Sequence, residues 1–186
     1  VLLTCATGGL GDSDRPGDTQ LGENENIDPA GDPDLALFDS YLEGKERNTL
    51  GVNVEGLGKH FRSYDLYVYL DAGARDSEAG ASVREISDGT TSYFLDDPDG
   101  NTFVGTYVEV ASTDALAPGI GNYVVFRGLT ADRAEIRIST EGGDRNNLPV
   151  INGFQVVGEF VVGGDYFASD GGVDVAHGLY GLDFAE

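Results

Sequence analysis

The chain has 186 residues, with 33 acidic against 11 basic side chains and a formal net charge of −22. That length suits one domain with extensions around a single core. The charge repels phosphate backbones and anionic lipid surfaces, which argues against nucleic-acid and membrane-surface partners.

No apolar run approaches the ~18 residues that a membrane-spanning helix needs. The single cysteine, Cys5, cannot close an internal disulfide, and this neither requires nor forbids export. Methionine is absent throughout, so a processed or excised form is expected. The 28 glycines suit the tight turns of a short-stranded β protein.

The N-terminus opens on an apolar, β-prone tip, Val1-Leu2-Leu3-Thr4-Cys5. The same residues can be read as the tail of an export signal ending in a lipidated cysteine, although threonine fits poorly before such a cysteine. Residues 6–34 are dominated by Gly, Asp, Glu, Asn, Pro and Thr. Residues 1–40 carry the acids Asp12, Asp14, Asp18, Glu23, Glu25, Asp28, Asp32, Asp34 and Asp39 against the single base Arg15. A stretch so charged buries too little surface to fold alone, so residues 1–34 are read as an N-terminal strand followed by an extended acidic linker.

From Leu35 the pattern changes to period two. Tyr64, Leu66, Val68 and Leu70 define one face of a half-buried strand, and Asp65, Tyr67, Tyr69 and Asp71 define its outward face. In residues 133–139, Ala134, Ile136 and Ile138 alternate with Arg133, Glu135 and Arg137. Further strands are expected near 50–56, 82–87, 90–95, 103–111, 121–129 and 149–162. Turn signals separate them at Asp88-Gly89, Asp99-Gly100, Gly119 to Gly121 and Gly142-Gly143. Residues 149–157 are apolar on both faces, which suits a central strand or one covered by another chain. Residues 163–186 form a Gly-rich tail, with apolar knots at Val173 to Val175 and Leu179 to Phe184, that packs on the domain or on a neighbour. The expected fold is a two-sheet antiparallel β-sandwich, immunoglobulin-like or jelly-roll, over residues 35–162.

Three segments then occur in order: Ser63-Tyr64-Asp65-Leu66-Tyr67-Val68-Tyr69-Leu70, Gly121-Asn122-Tyr123-Val124-Val125-Phe126-Arg127-Gly128-Leu129, and Ile151-Asn152-Gly153-Phe154-Gln155-Val156-Val157. Together they resemble extracellular β-sandwich modules in surface proteins of aquatic bacteria. The resemblance covers roughly residues 35–158. It implies a sandwich fold at the cell surface or outside the cell, and it carries over no catalytic residues.

Enzyme chemistry finds no footing. His60 and His177 have no spacing to a nucleophile or to metal ligands and read as loop residues. Among 33 acids, a pair of carboxylates carries no specificity for glycoside hydrolysis. Asp96-Asp97-Pro98-Asp99-Gly100-Asn101 gathers hard oxygen ligands for calcium, but its glycine is misplaced for an EF-hand loop and a hairpin turn is preferred. The acidic arm from Asn24 to Asp34 is a weaker calcium candidate. Beyond that, no cofactor is expected.

Two functions remain. Tyr67 and Tyr69, flanked by Asp65 and Asp71, could stack a sugar ring, which defines a carbohydrate-binding module; the absence of tryptophan weakens it, and alternating tyrosines commonly serve as cross-strand pairs. The preferred reading rests on the arm. As a flexible coil the connector spans about 30 Å, and about 100 Å at full stretch, against a radius of gyration of about 15 Å for such a domain. The tip Val1, Leu2, Leu3, Thr4 and Cys5 can therefore enter the β-sandwich of another copy, as in donor-strand complementation. Repeated head to tail, that contact builds a pilus-like homopolymer. Completion of its own sandwich is the competing arrangement, and linker reach permits that too.

Overall fold

The computed structural model describes residues 2–7, 19–23, 32–44, 49–71, 82–98, 103–140, 149–161 and 177–183. In chain order these form β1 (Leu2–Thr7), β2 (Thr19–Glu23), helix α1 (Pro33–Asp39), β3 (Ser40–Gly44) and β4 (Thr49–Glu55). A 3-10 turn (Leu57–Lys59) leads to β5 (Phe61–Tyr69), β6 (Ser82–Ser87) and β7 (Ser92–Asp97). Then come β8 (Gly119–Ile120), β9 (Tyr123–Leu129), β10 (Arg133–Thr140), β11 (Val150–Ile151), β12 (Gly153–Phe160) and β13 (His177–Asp183). The chain is all-β in character, as its alternation predicts.

The described strands pair in three sheets. One is six-stranded in the order β1-β4-β10-β6-β7-β8, one four-stranded as β13-β12-β5-β9, and one three-stranded as β11-β3-β2. All pairs are antiparallel except β7 with β8, which is parallel. The sheets are thus mixed and antiparallel, more varied than the two antiparallel sheets expected. The parallel pair arises because β8 returns to the β7 edge only after a long excursion through residues 98–118.

Alternation decides which residues go inside. Leu50, Val52 and Val54 of β4, Ala134, Ile136 and Ile138 of β10, and Tyr64, Leu66 and Val68 of β5 are all buried. With Val124 and Phe126 of β9 and Phe154 and Val156 of β12, they belong to one apolar cluster fed by both larger sheets. Each such aliphatic side chain contributes about 1.5–3 kcal/mol on leaving water. Asp65 and Gly128 shape one irregularity: Gly128 has φ +66, and its N–H donates to Asp65 Oδ1 at 2.8 Å. The register of β5 on β9 shifts there, between Tyr64 and Leu66.

Three expectations change. Residues 33–39 are helical, where period two was expected from Leu35. Asp32 caps the turn, its Oδ1 accepting from Asp34 N–H at 2.9 Å, and Pro33 occupies the first helical position. Second, the stretch read as an unpaired linker contains β2, which pairs with β3 from Thr19↔Gly44 to Glu23↔Ser40. Third, residues 103–111 make no strand: Gly105 sits at φ +85, and residues 104–109 are exposed without alternation. The C-terminal tail returns to its own domain through β13, which pairs with β12 from Gly153↔Asp183 to Glu159↔His177. His177 therefore opens a strand. The knot at Val173 to Val175 and the turns at Asp99-Gly100 and Gly142-Gly143 lie outside the described residues.

The irregular segment 106–112 still has fixed bonds. Asn122 holds it from both sides: its amide donates to Thr106 O at 2.9 Å, and its Oδ1 accepts from Val108 N–H at 2.9 Å. Val110 N–H donates to Tyr123 O at 2.8 Å, and Phe94 N–H to Ser112 O at 2.9 Å. The segment thus ties β7 of one sheet to β9 of another. The approach is close, since a Cβ on Gly121 would stand 2.5 Å from Val108 O. Replacing Asn122 by alanine is expected to cost about 1–3 kcal/mol of unfolding free energy, because a part-buried N–H and C=O lose their partner. Urea denaturation measures this. A loss under about 0.5 kcal/mol would mean that the segment is anchored by other contacts.

Candidate functional site

Strand β1 forms because Leu2, Leu3 and Thr4 favour extended backbone and because β4 offers a ladder beside them. All six residues of β1 pair in unbroken antiparallel register: Leu2↔Glu55, Leu3↔Val54, Thr4↔Asn53, Cys5↔Val52, Ala6↔Gly51 and Thr7↔Leu50. On its other side β4 pairs with β10, from Arg133↔Glu55 to Ser139↔Thr49. β1 therefore ends the six-stranded sheet, and its partner β4 belongs to the same chain. The candidate donor residues Leu2, Leu3, Thr4 and Cys5 are all in this pairing, and Val1 lies outside the described residues. Within one chain, the tip is seated at home.

The inner face of β4 is sealed from water. Leu50, Val52 and Val54 are 0 %, 0 % and 1 % exposed, so β4 presents a fully buried face next to its outer ladder edge. Without β1 that edge would display unpaired N–H and C=O groups to water, the feature that invites strand addition.

The proposed sugar platform is dispersed by the structure. Tyr69 is 8 % exposed and Asp71 is 2 % exposed, so neither faces solvent, contrary to the alternation. A second layer covers this end of the sheet. The Phe38 ring of α1 stands edge-on to Tyr69 at 6.0 Å and stacks on Phe103 at 4.1 Å, while Tyr107 lies 5.8 Å from Tyr69. Tyr69 Oη donates to Gln155 Oε1 at 2.8 Å, and Tyr107 Oη donates to Asp34 Oδ1 at 2.9 Å. Asp71 N–H donates to Asn152 Oδ1 at 2.6 Å. Tyr67 stays half-buried and stacks on Tyr123 at 6.0 Å. Asp65 is occupied by Gly128. The sequence does contain a signal for this layer: Asp32-Pro33-Asp34 is a helix start, and an apolar run follows it.

His60 is exposed in the turn after Lys59. Among the described residues, no three His, Cys, Asp or Glu side chains gather as a metal site. Asp99, Gly100 and Asn101 of the calcium candidate, and Asn24 to Gly31 of the arm, lie outside the described residues. Among the described residues no helix is long and apolar enough to cross a membrane. Comparison with protein-family models, with curated proteins and with solved structures finds no match to this chain.

Burial, with the Asp132 carboxylate adding to it, pushes the Tyr64 phenol up to about 12. Burial does the same to Tyr69, also to about 12, helped by Tyr123, Tyr67 and Asp34. Tyr107 rises through burial and its bond to Asp34. A raised phenol pKa means the folded state holds its protons more tightly than the unfolded chain. Stability from these tyrosines is therefore complete below pH 10 and is lost as pH climbs toward 12. Tyrosinate absorbance should show Tyr64 and Tyr69 ionising together with unfolding, after the more exposed phenols. Early, reversible ionisation of all nine tyrosines in a still-folded chain would contradict this burial.

Proposed function

We propose that the chain is a structural, non-enzymatic subunit of an extracellular pilus-like filament, in which β1 of one copy pairs with β4 of the next. On this reading the six- and four-stranded sheets are the two layers of a β-sandwich, a view supported by the apolar cluster they share. The observation that carries the proposal is the position of β1: an end strand in full register with β4, joined to β2 through residues 8–18. That connector holds four glycines and three aspartates among its eleven residues.

Home pairing and exchange use the same contacts, so local concentration decides between them. A short covalent tether gives home pairing an effective concentration on the order of millimolar. Dilute copies keep the strand at home. Copies crowded at an assembly site can trade it. The glycan reading keeps only Tyr67 of its two rings near the surface and has no comparable support.

Two experiments test the proposal. Removing residues 1–7 is expected to leave soluble monomers in electron micrographs, and normal filaments from the truncated chain would refute the mechanism. Cys5 is the single cysteine and faces Val52 in the register, at the spacing of directly opposed strand residues, about 4.5–5.5 Å, which a disulfide spans. Concentrated Val52→Cys protein, refolded and oxidised, should run as a ladder of linked chains on a non-reducing gel. Closure solely within single chains would count against exchange.

A further inference from the structure

We propose that residues 108–120, around β8, form a contact surface for a second copy of this chain. Five of the six large apolar side chains exposed among the described residues, Val104, Tyr107, Val108, Leu116 and Ile120, fall within residues 104–120. Exposed apolar residues scattered singly are ordinary on a protein surface, but such a concentration on one short segment marks a place of contact. Leu116 is the extreme at 95 % exposed, with Ile120 at 61 % and Val108 at 42 %. The backbone presents them rigidly. Ser112 Oγ donates to Ala117 O at 2.7 Å, Leu116 N–H donates to Asp114 Oδ1 at 2.9 Å, and Ala117 N–H donates to Asp114 O at 3.1 Å. Leu116 therefore stands at the tip of a closed turn. Val108 is fixed beside β8 by Asn122, whose N–H donates to Val108 O at 3.0 Å. A surface set in advance gives up little conformational freedom on binding.

Charge decides what covers this surface. Each copy carries a formal charge of −22, so two copies repel wherever acid meets acid. Residues 110–121 hold one charged side chain, Asp114, and its Oδ1 already accepts from Leu116 N–H. Glu109, just before them, is paired with Arg127 at 2.8 Å. A basic partner would be drawn to the acid-rich remainder of the molecule, and an anionic partner would be repelled by it. A nearly uncharged apolar segment suits a like copy, because a two-fold contact sets the segment against itself. β8 and β1 are the two ends of the six-stranded sheet, so this contact uses no residue of the β1–β4 ladder and stands apart from strand exchange. A stable interface takes about 20–30 residues a side. This surface spans thirteen, residues 108–120, which places the dimer in the weak range, with Kd between about 1 μM and about 1 mM.

In the Val52→Cys chain, closed onto Cys5 while dilute, β1 is held at home and strand exchange is blocked. Sedimentation equilibrium of that chain across the same concentration range should show monomer passing into dimer and no larger species. Leu116→Asp and Ile120→Asp should each weaken the dimer at least about tenfold, in this chain and in the unmodified one. Leu116→Ser, which adds no charge, should act in the same direction. Val161→Asp, at an exposed apolar site outside the segment, should leave the dimer unchanged. A locked chain that stays monomeric up to about 1 mM, or a dimer that weakens no more with Leu116→Asp than with Val161→Asp, would overturn the proposal and leave strand exchange standing. Larger assemblies of the locked chain would overturn the two-fold contact. Dimers from an unmodified chain that never forms filaments would count against exchange alone.

Discussion

Strand β4 sets the terms for the rest of the molecule. Its inner residues Leu50, Val52 and Val54 are almost wholly removed from water, and β10 occupies one of its edges in continuous register. The other edge must also be covered, because a row of unpaired peptide groups beside a sealed apolar face attracts any extended chain nearby. β1 covers it with every one of its residues. In this structure the covering strand belongs to the same chain as the edge it covers.

The two flanks of the fold are built differently. On the β7–β9 side, segment 106–112 is bonded to both sheets, and Gly121 lets the backbones close to contact distance. On the other side the described sheets end in β1 and β13. Each of these two strands pairs with a single neighbour, β1 with β4 and β13 with β12. The sealed flank offers no equivalent, because freeing it would break bonds to Asn122, Tyr123 and Phe94 together.

Local alternation made much of the core legible. In β4, β5 and β10 the residues that recur at period two are the buried ones, since a strand with one face against an apolar cluster has no other solution. Alternation divides a strand into faces but does not say whether a second layer lies over the outer one. Tyr69 and Asp71 therefore looked solvent-facing, although Phe38 and Asn152 cover them from residues far away in sequence. Helix α1 was written locally in Asp32-Pro33-Asp34, and it was obscured by the acidic composition around it. Residues 103–111 carry strand-prone side chains, yet the positive φ at Gly105 breaks the extended run, and a lone glycine does not announce its dihedral. The partner of β1 is a long-range pairing that no local pattern encodes.

The most direct measurement is an electron cryomicroscopy map of the native material, with the backbone traced through Thr7 and the residues after it. The account predicts that the strand lying on Thr49–Glu55 continues into the body of an adjacent subunit. A trace that runs from that strand into β2 of the same subunit, throughout native material that is monomeric, would contradict it.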